Sequence, residues 1–253
     1  MKKFLLIASI LLLTVLIGGC QNPVTPATAL QTPAPQKQPT RWDEIIKTGE
    51  LKIGVPSLSD SMDNRLIDAF SEETNLTVSK VVLPWDDTLE TAVTDGTVDM
   101  LWGQIPAISE SSTMFRLSNP YFHSTMLYLS RSEELTVDQN TTAGVLKHSA
   151  GQFMAENYFA STKVYNTRDE LFYGLSSGQV ACVLYDNALF ENMQTKKDAF
   201  HIVKEVPYDL VVAFEQNNVS VATEVEKLIA KIKADGTASD ICLKWYLNDY
   251  IKK

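Results

Sequence analysis

Cysteine and histidine are scarce in this sequence of 253 residues, which contains three of each. The histidines, His123, His148 and His201, have no metal-ligand spacing, and no HExxH, GxSxG, P-loop or CxxC motif occurs in the chain. Acidic residues are plentiful, but most fall on the faces of predicted helices, where they are solvated. We therefore predict that the protein is not an enzyme and that it uses no cofactor and no metal ion.

Basic residues are also in deficit, because 22 lysines and arginines stand against 31 aspartates and glutamates, for a formal net charge of -9. An acidic molecule disfavours nucleic acids and anionic lipids as partners. We expect no nucleic acid among its partners. The balance does not determine the charge of a small ligand, because the groups that line a pocket can differ in sign from the molecule as a whole.

Long hydrophobic runs are missing except at the N-terminus, where an uncharged stretch from Phe4 to Ile17 follows Lys2 and Lys3. A positive end, a short apolar stretch and small residues at a cut site are typical of a secretory signal. The stretch is short for a membrane span, which needs about 20 apolar residues. We predict that residues 1–19 are a signal peptide and that the protein works outside the cytoplasm. An uncleaved anchor helix is the alternative.

The residue after the predicted cut is Cys20, and the segment LIGGC resembles a bacterial lipobox. The resemblance implies a lipoprotein, with a diacylglyceryl thioether and fatty acid such as palmitate at Cys20, on the periplasmic side or the cell surface of a bacterial membrane. Residues 20–41 then form a linker with five prolines and few large apolar side chains. Such a composition cannot bury enough surface to fold, which favours an extended tether.

The rest of the sequence alternates between predicted strands and helices, which indicates α/β units with parallel-rich sheets. The first series contains strands at 51–55, 76–83 and 98–102, with helices at 61–73 and 86–94 between them. A second series runs from 143 to 185, and two amphipathic helices end the chain. Cys182 and Cys242 are compatible either with one disulfide in an oxidising compartment or with two buried thiols.

Several segments, in order, resemble the family 3 bacterial solute-binding proteins. The stretch from Asp99 to Tyr121, DMLWGQIPAISESSTMFRLSNPY, is similar to the family segment that ends in an FS-D-PY signature. GQVACVLYD, ending at Asp186, is similar to the G-x-x-D-A-x-x-x-D strand of the family's second lobe. The DG pair at 235–236 and the KW pair at 244–245 resemble its closing helices. The likeness extends over about residues 42–249.

This resemblance implies a two-lobed periplasmic-binding-protein fold of type II, in which two crossing strands join parallel-rich sheets. Lobe 1 would comprise residues 42–127 plus 210–253, and lobe 2 residues 128–209. The implied function is the capture of a small polar solute, such as an amino acid or amine, for an ABC importer. The implied partners are that solute, the permease of the importer or a membrane sensor, and the membrane itself through the lipid. We expect a monomer.

The sequence departs from the family pattern where the ligand is usually held. An ungapped alignment puts Ser111 at the place of the arginine that pairs with a ligand carboxylate, and a serine cannot replace that guanidinium. The loop after the first strand is short, and Ser57, Ser59 and Ser61 in it fit either an oxyanion site or ordinary turn and helix-cap positions. The alternatives are therefore an oxyanion binder, or a sensory or partner-binding module with an altered or lost amino-acid site.

The residues expected to contact the ligand follow from family positions. Asp186 would pair with a ligand ammonium or cap the helix that follows, and Ser149 would bind a carboxylate or cap its own helix. The tryptophans would stack on the ligand or lie in the core. The predicted ligand-binding residues are Trp85, Trp102, Gln104, Ser111, Ser149, Tyr185, Asp186 and Ser59.

Overall fold

The computed structural model describes residues 38–86, 88–193 and 199–252. The predicted signal peptide, Cys20 and almost all of the predicted linker lie outside the described residues. Residues Pro39–Lys253 form one compact unit. Within the described ranges, none of the helices combines the length and the apolar character needed to cross a bilayer.

Helices and strands alternate along most of this unit. The helices are α1 (Arg41–Thr48), α2 (Met62–Thr74), α3 (Leu89–Thr94), α4 (Ser109–Met114), α5 (Ala150–Glu156), α6 (Arg168–Ser176), α7 (Asn187–Glu191), α8 (Val219–Ala234) and α9 (Thr237–Trp245). The strands are β1 (Glu50–Val55), β2 (Thr77–Val82), β3 (Met100–Leu101), β4 (Arg116–Leu117), β5 (Phe122–Ser130), β6 (Ala143–Leu146), β7 (Thr162–Tyr165), β8 (Cys182–Asp186), β9 (His201–Leu210) and β10 (Ala213–Phe214).

The strands form two mixed sheets, and we call the body around each sheet a lobe. The first sheet has the order β2-β1-β3-β10-β4, with β1 parallel to β2 and β3 and with β10 antiparallel to its neighbours. The second has the order β7-β6-β8-β5-β9, with β6 parallel to β7 and β8 and with β5 antiparallel to β8 and β9. The parallel-rich α/β architecture predicted from the alternation is therefore present.

The chain changes sheets twice. It leaves the first sheet after Leu117 and enters the second at Phe122, and it returns between Leu210 and Ala213. Strand β5 pairs with the second sheet along its whole length, from Phe122 to Ser130. The lobe limits given above stay a prediction.

Helix α2 illustrates how the sequence sets an element of the first lobe. Ser61 caps its N-terminus, and Asn75 ends it in the left-handed region with φ 56°. The apolar residues recur at helical spacing, so they share one face, and burying each side chain contributes about 2 kcal/mol. They lie in the same hydrophobic cluster as β1 and are Met62, Leu66, Ile67 and Phe70.

Several elements differ from the predicted pattern, among them α4 and β4, which were not predicted, and α9, which ends at Trp245 rather than Ile251; helices α1 and α3 show the cause. Helix α1 was not predicted, because its start lies in the proline-rich stretch assigned to the linker; Thr40 and Asp43 form a capping box that begins it. Helix α3 begins three residues later than predicted, since the Asp86 carboxylate accepts hydrogen bonds from Thr88 and holds this stretch as a turn. Local side-chain bonds therefore decide both boundaries.

The segment after α9 joins the lobes through helix α7 of the second lobe. Glu191 accepts hydrogen bonds from the Asn248 side chain, at 2.7 Å, and from the Tyr250 hydroxyl. Tyr250 also stacks on Phe122, at the start of β5, with ring centroids 5.3 Å apart. We call this contact between α7 and residues 245–250 the C-terminal clasp.

Cys182 and Cys242 are both buried free thiols, so the thiol alternative is the one realised. Cys182 begins β8 of the second lobe, whereas Cys242 lies in α9 of the first. Each lobe therefore contains one buried thiol.

Candidate functional site

Gln104 connects the two lobes directly. It follows the end of β3, and its Nε2 donates to Asp63 Oδ2 of α2 at 3.0 Å. Its Oε1 accepts from the backbone N–H of Ala150, the first residue of α5, at 3.3 Å. Both ends of one amide are thus engaged, one in each lobe.

The backbone is strained on both sides of this contact. Among the described non-glycine residues with positive φ, Asn75 merely ends a helix, but Gln104 and His148 have φ 59° and 60° in the loops that face each other across the lobes. The left-handed region costs such residues about 1–2 kcal/mol. Strain of this kind is characteristic of ligand sites, where surrounding contacts hold it in place.

A cavity of about 410 Å³ opens between the loop after β1 and the turn between β6 and α5. Small-molecule sites usually have volumes of about 300–1,000 Å³, so this space admits a small solute. We call it the outer cavity. Its lining residues are Val55, Pro56, Ser57, Ser59, Ser61, Asp63, Asn64, Trp102, Gln104, Lys147, His148 and Asn166.

A second space, the inner cavity, measures only about 30 Å³. That volume is about the share of one water molecule in the liquid. Gln104 lines both cavities and is the partition between them. Three predicted ligand-binding residues, Ser149, Tyr185 and Asp186, line the inner cavity and not the outer one.

A larger concavity, about 950 Å³, lies elsewhere, around Arg41 and Asp99. All of its lining residues belong to the first lobe, so relative movement of the lobes does not close it. We therefore place the candidate site in the outer cavity, despite its smaller volume.

Asp63 is the buried carboxylate of the outer cavity and was not among the residues predicted from the sequence. Oδ1 accepts from the Tyr121 hydroxyl at 2.7 Å, and Oδ2 accepts from Gln104. Burial raises the pKa of Asp63 above its ordinary value, against the opposing effect of these two hydrogen bonds. An acidic residue in the first turn of a helix is expected in any case. The sequence therefore gave no reason to single it out.

The loop after β1 holds its serines in a defined arrangement. Asn64 Nδ2 donates to the carbonyls of Ser57 and Ser59, at 2.9 and 2.7 Å. Ser57 Oγ donates to Ser59 Oγ, and Ser61 Oγ accepts from the Asn64 N–H as the cap of α2. The predicted turn and cap roles are therefore present. The hydroxyl hydrogens of Ser59 and Ser61 have no acceptor within the described ranges.

The second lobe faces these serines with two basic side chains, which the sequence reading did not select. Lys147 is exposed, and no carboxylate of the described residues lies within ion-pair distance of it. The Pro56 carbonyl of the first lobe acts on the His148 ring and favours its protonated form, which raises the pKa. Burial lowers the pKa of His148, with a smaller contribution from Lys147, against the attraction of Asp86.

Asp186 has the capping role that was one of its two predicted roles. Oδ1 accepts from the N–H groups of Ala188 and Leu189 at the start of α7, at 2.8 and 3.3 Å, and Oδ2 accepts from the Tyr208 hydroxyl at 2.5 Å. Burial raises the pKa of Asp186, although each of these bonds favours the charged form. Binding of a ligand by Asp186 stays a prediction.

Ser149 and Ser111 are likewise occupied by local bonds. Ser149 Oγ accepts from the Gln152 N–H and donates to the Leu146 carbonyl, as the cap of α5. Ser111 is fully buried, with its Oγ donating to the Pro106 carbonyl at 2.6 Å, and it lines neither cavity.

The aromatic candidates lie mostly in the core. Trp85 is 4% exposed in a first-lobe cluster and lines neither cavity. Trp102 is fully buried between Phe70 and Tyr121, and it also lines the outer cavity. Tyr185 packs against Phe172 and lines the inner cavity. Contact of these rings with a ligand stays a prediction.

The sequence matches the model of the bacterial extracellular solute-binding proteins, family 3, over residues 61–248. This match extends over well more than half of the chain, so the chain belongs to that family. No curated protein gives a significant match.

Solved structures share the fold. One is the substrate-binding protein of an ABC uptake transporter from Streptococcus pneumoniae with bound histidine, at TM-score 0.65 and 21% identity, over 84% of this chain and 98% of that chain. Another is the arginine-, lysine-, histidine-binding protein ArtJ from Geobacillus stearothermophilus, at TM-score 0.61 and 21% identity, over 79% of this chain and 96% of that chain. The predicted two-lobed type II fold is thereby confirmed.

A further similar structure is that of an ancestral binding protein. The ancestral amino-acid-binding protein AncCDT-1, a precursor of cyclohexadienyl dehydratase, has TM-score 0.63 and 19% identity, over 82% of this chain and all of that chain. The family to which the present chain belongs is one of binding proteins.

Proposed function

We propose that this protein is a lipid-anchored extracytoplasmic receptor that captures a small polar solute between its lobes for an ABC importer. The observation that carries the proposal is the outer cavity, which is lined by polar residues of both lobes and bridged by Gln104. Family membership supports binding of a solute, and similar structures from ABC uptake systems support delivery to a permease.

Release of the solute requires the lobes to separate. Separation breaks the bond from Ala150 to Gln104, which joins one lobe to the other, and moves His148 away from the Pro56 carbonyl. Hinge closure of this kind converts binding into a change of shape that a membrane partner recognises. The protein acts by binding and release, without turnover of the solute.

A sensory or partner-binding module is the second candidate. It is favoured by the state of the positions that would clamp an amino acid, since Ser111 is buried away from both cavities and Asp186 is bonded to α7 and Tyr208. Recovery of a membrane sensor, and of no permease, in a cross-linking pull-down from cells would favour this module over the transport receptor.

The anchor and the signal peptide remain part of the proposal, on the sequence of residues 1–20. Mass spectrometry of the protein extracted from membranes would detect an N-terminal diacylglyceryl cysteine at Cys20. An unmodified chain that begins at Met1 would contradict both.

The proposed solute binding is tested by thermal unfolding of the purified chain with amino acids, amines, carboxylates and oxyanions. A ligand that binds only the folded protein at 100 times its Kd adds about 2.7 kcal/mol to the free energy of unfolding. We expect at least one solute to raise the melting temperature. The size of this ligand-induced increase should differ from that of the parent protein in Gln104→Ala and equal it in Gln216→Ala. Gln216 is a suitable control because its amide, like that of Gln104, takes part in two hydrogen bonds, but both lie within the first lobe. If no solute raises the melting temperature, the proposal is wrong.

A further inference from the structure

The charge of the outer cavity is divided between its walls. Asp63 lies on the first-lobe wall, and Lys147 and His148 lie on the second-lobe wall. The groups that can still form hydrogen bonds determine whether this cavity attracts a positively or a negatively charged ligand.

The acidic wall has little capacity left for a ligand cation. Each oxygen of Asp63 already accepts a hydrogen bond, one from Tyr121 and one from Gln104, and the residue is only 8% exposed. An ammonium group at this carboxylate would compete with Gln104, which is also bonded to Ala150 of the opposite lobe.

The basic wall has a lysine that is not paired within the described part of the chain. The Lys147 ammonium offers three N–H donors, and no described carboxylate pairs with it. Asp86 attracts the His148 ring, and its Oδ1 accepts two hydrogen bonds from Thr88.

Donors from three other side chains line the same cavity. The hydroxyls of Ser59 and Ser61 lack acceptors among the described residues, as does the side-chain amide of Asn166. Donors without a described acceptor, beside an ammonium that no described carboxylate pairs with, are complementary to an oxygen-rich anion.

Taking the proposed function as its basis, we infer that the solute is a small anion whose carboxylate or oxyanion group binds Lys147. Ser59, Ser61 and Asn166 donate the additional hydrogen bonds. The anion lies in the outer cavity, on the side of Gln104 away from Asp186.

The test is calorimetric titration of the full-length chain in detergent with succinate, inorganic phosphate and L-arginine. Lys147→Met removes the charge and keeps most of the length of the side chain. Lys163→Met is the matched control, since Lys163 is another exposed lysine of the second lobe and lines neither cavity. We expect succinate or phosphate to bind, with affinity reduced about tenfold or more in Lys147→Met and unchanged in Lys163→Met.

Each result decides the inference. Weakened succinate binding identifies a carboxylate ligand, and weakened phosphate binding identifies a tetrahedral oxyanion. Binding of L-arginine without either anion overturns the inference and leaves the proposed function in place, as does anion binding that Lys147→Met does not weaken. If neither these probes nor the wider set of solutes binds, the proposed function itself fails.

Discussion

Asp186 is a half-buried carboxylate that is bonded within the second lobe, and desolvation makes its ionised form less favourable in the folded protein than in the unfolded chain. Because burial raises its pKa in the folded state, the folded protein binds a proton at Asp186 more tightly than the unfolded chain does. The stabilisation this provides is fully present below the ordinary carboxyl pKa of 3.8 and is lost as the pH rises through the folded-state value.

We therefore expect Asp186→Asn to match or exceed the parent protein in stability at pH 7. An asparagine oxygen still accepts from Ala188 and Leu189, and its amide can donate to Tyr208. Asp186→Ala loses the cap and should cost about 1 kcal/mol. Urea unfolding at pH 4 and pH 7 measures both, and an asparagine variant less stable than the alanine variant would contradict this account.

The sequence allowed some residues of the outer cavity to be predicted and others not. Gln104, Ser59 and Trp102 were selected and do line the outer cavity, whereas Lys147 and His148 were not. A lysine and a histidine in a turn usually belong to the solvated surface. What distinguishes His148 is its backbone, with φ 60°, and its contact with Pro56. Neither property is visible in the order of the amino acids.

At the scale of elements, periodicity predicted the strands and helices whose apolar faces are regular. Helix α2 is such a case, with its cap at Ser61 and its end within a residue of the predicted one. Helix α1 was missed because its start depends on the bond between Thr40 and Asp43, beside a proline-rich stretch. Tertiary pairing and local caps, which periodicity does not contain, decide such short elements.

The C-terminal clasp is an element-level contact whose contribution to stability is measurable. Tyr250→Phe removes the hydroxyl that donates to Glu191 and retains the ring on Phe122. We expect the free energy of unfolding to fall by about 1 kcal/mol, since a hydrogen bond to a charged acceptor is lost at a partly exposed site.

The matched control is Tyr173→Phe, in which the tyrosine is 67% exposed on α6. Tyr173→Phe also removes a hydroxyl, and the midpoint of its unfolding in urea should equal that of the parent protein. Equal midpoints for both variants would mean that the clasp adds nothing measurable to stability.

At the scale of the whole molecule, the lobes share a hydrophobic cluster that contains Ile53 of the first sheet and Leu184 of the second. Residues Pro39–Lys253 also form one compact unit. Shared burial of this extent favours a single cooperative unfolding transition over separate unfolding of each lobe.

The two buried thiols report on this transition, one from each lobe. Burial raises the pKa of Cys182 to about 11 and also raises that of Cys242, so both are unreactive thiols in the folded protein. We expect iodoacetamide to label neither in native protein at pH 7, and to label both over the same range of urea concentration.

Mass spectrometry of the separate peptides distinguishes the two sites from Cys20. A Ser177→Cys variant, with a thiol at an exposed position of the second lobe, is the positive control and should react without urea. Labelling of Cys182 at lower urea than Cys242 would show that the second lobe unfolds independently.

The partition formed by Gln104 has an evolutionary consequence. A smaller side chain at this one position would merge the inner and outer cavities and bring Tyr185 and Asp186 within reach of whatever enters. Proteins that descend from this one thus have a short mutational route to different solutes. A single substitution would enlarge the cavity and leave the surrounding fold unchanged.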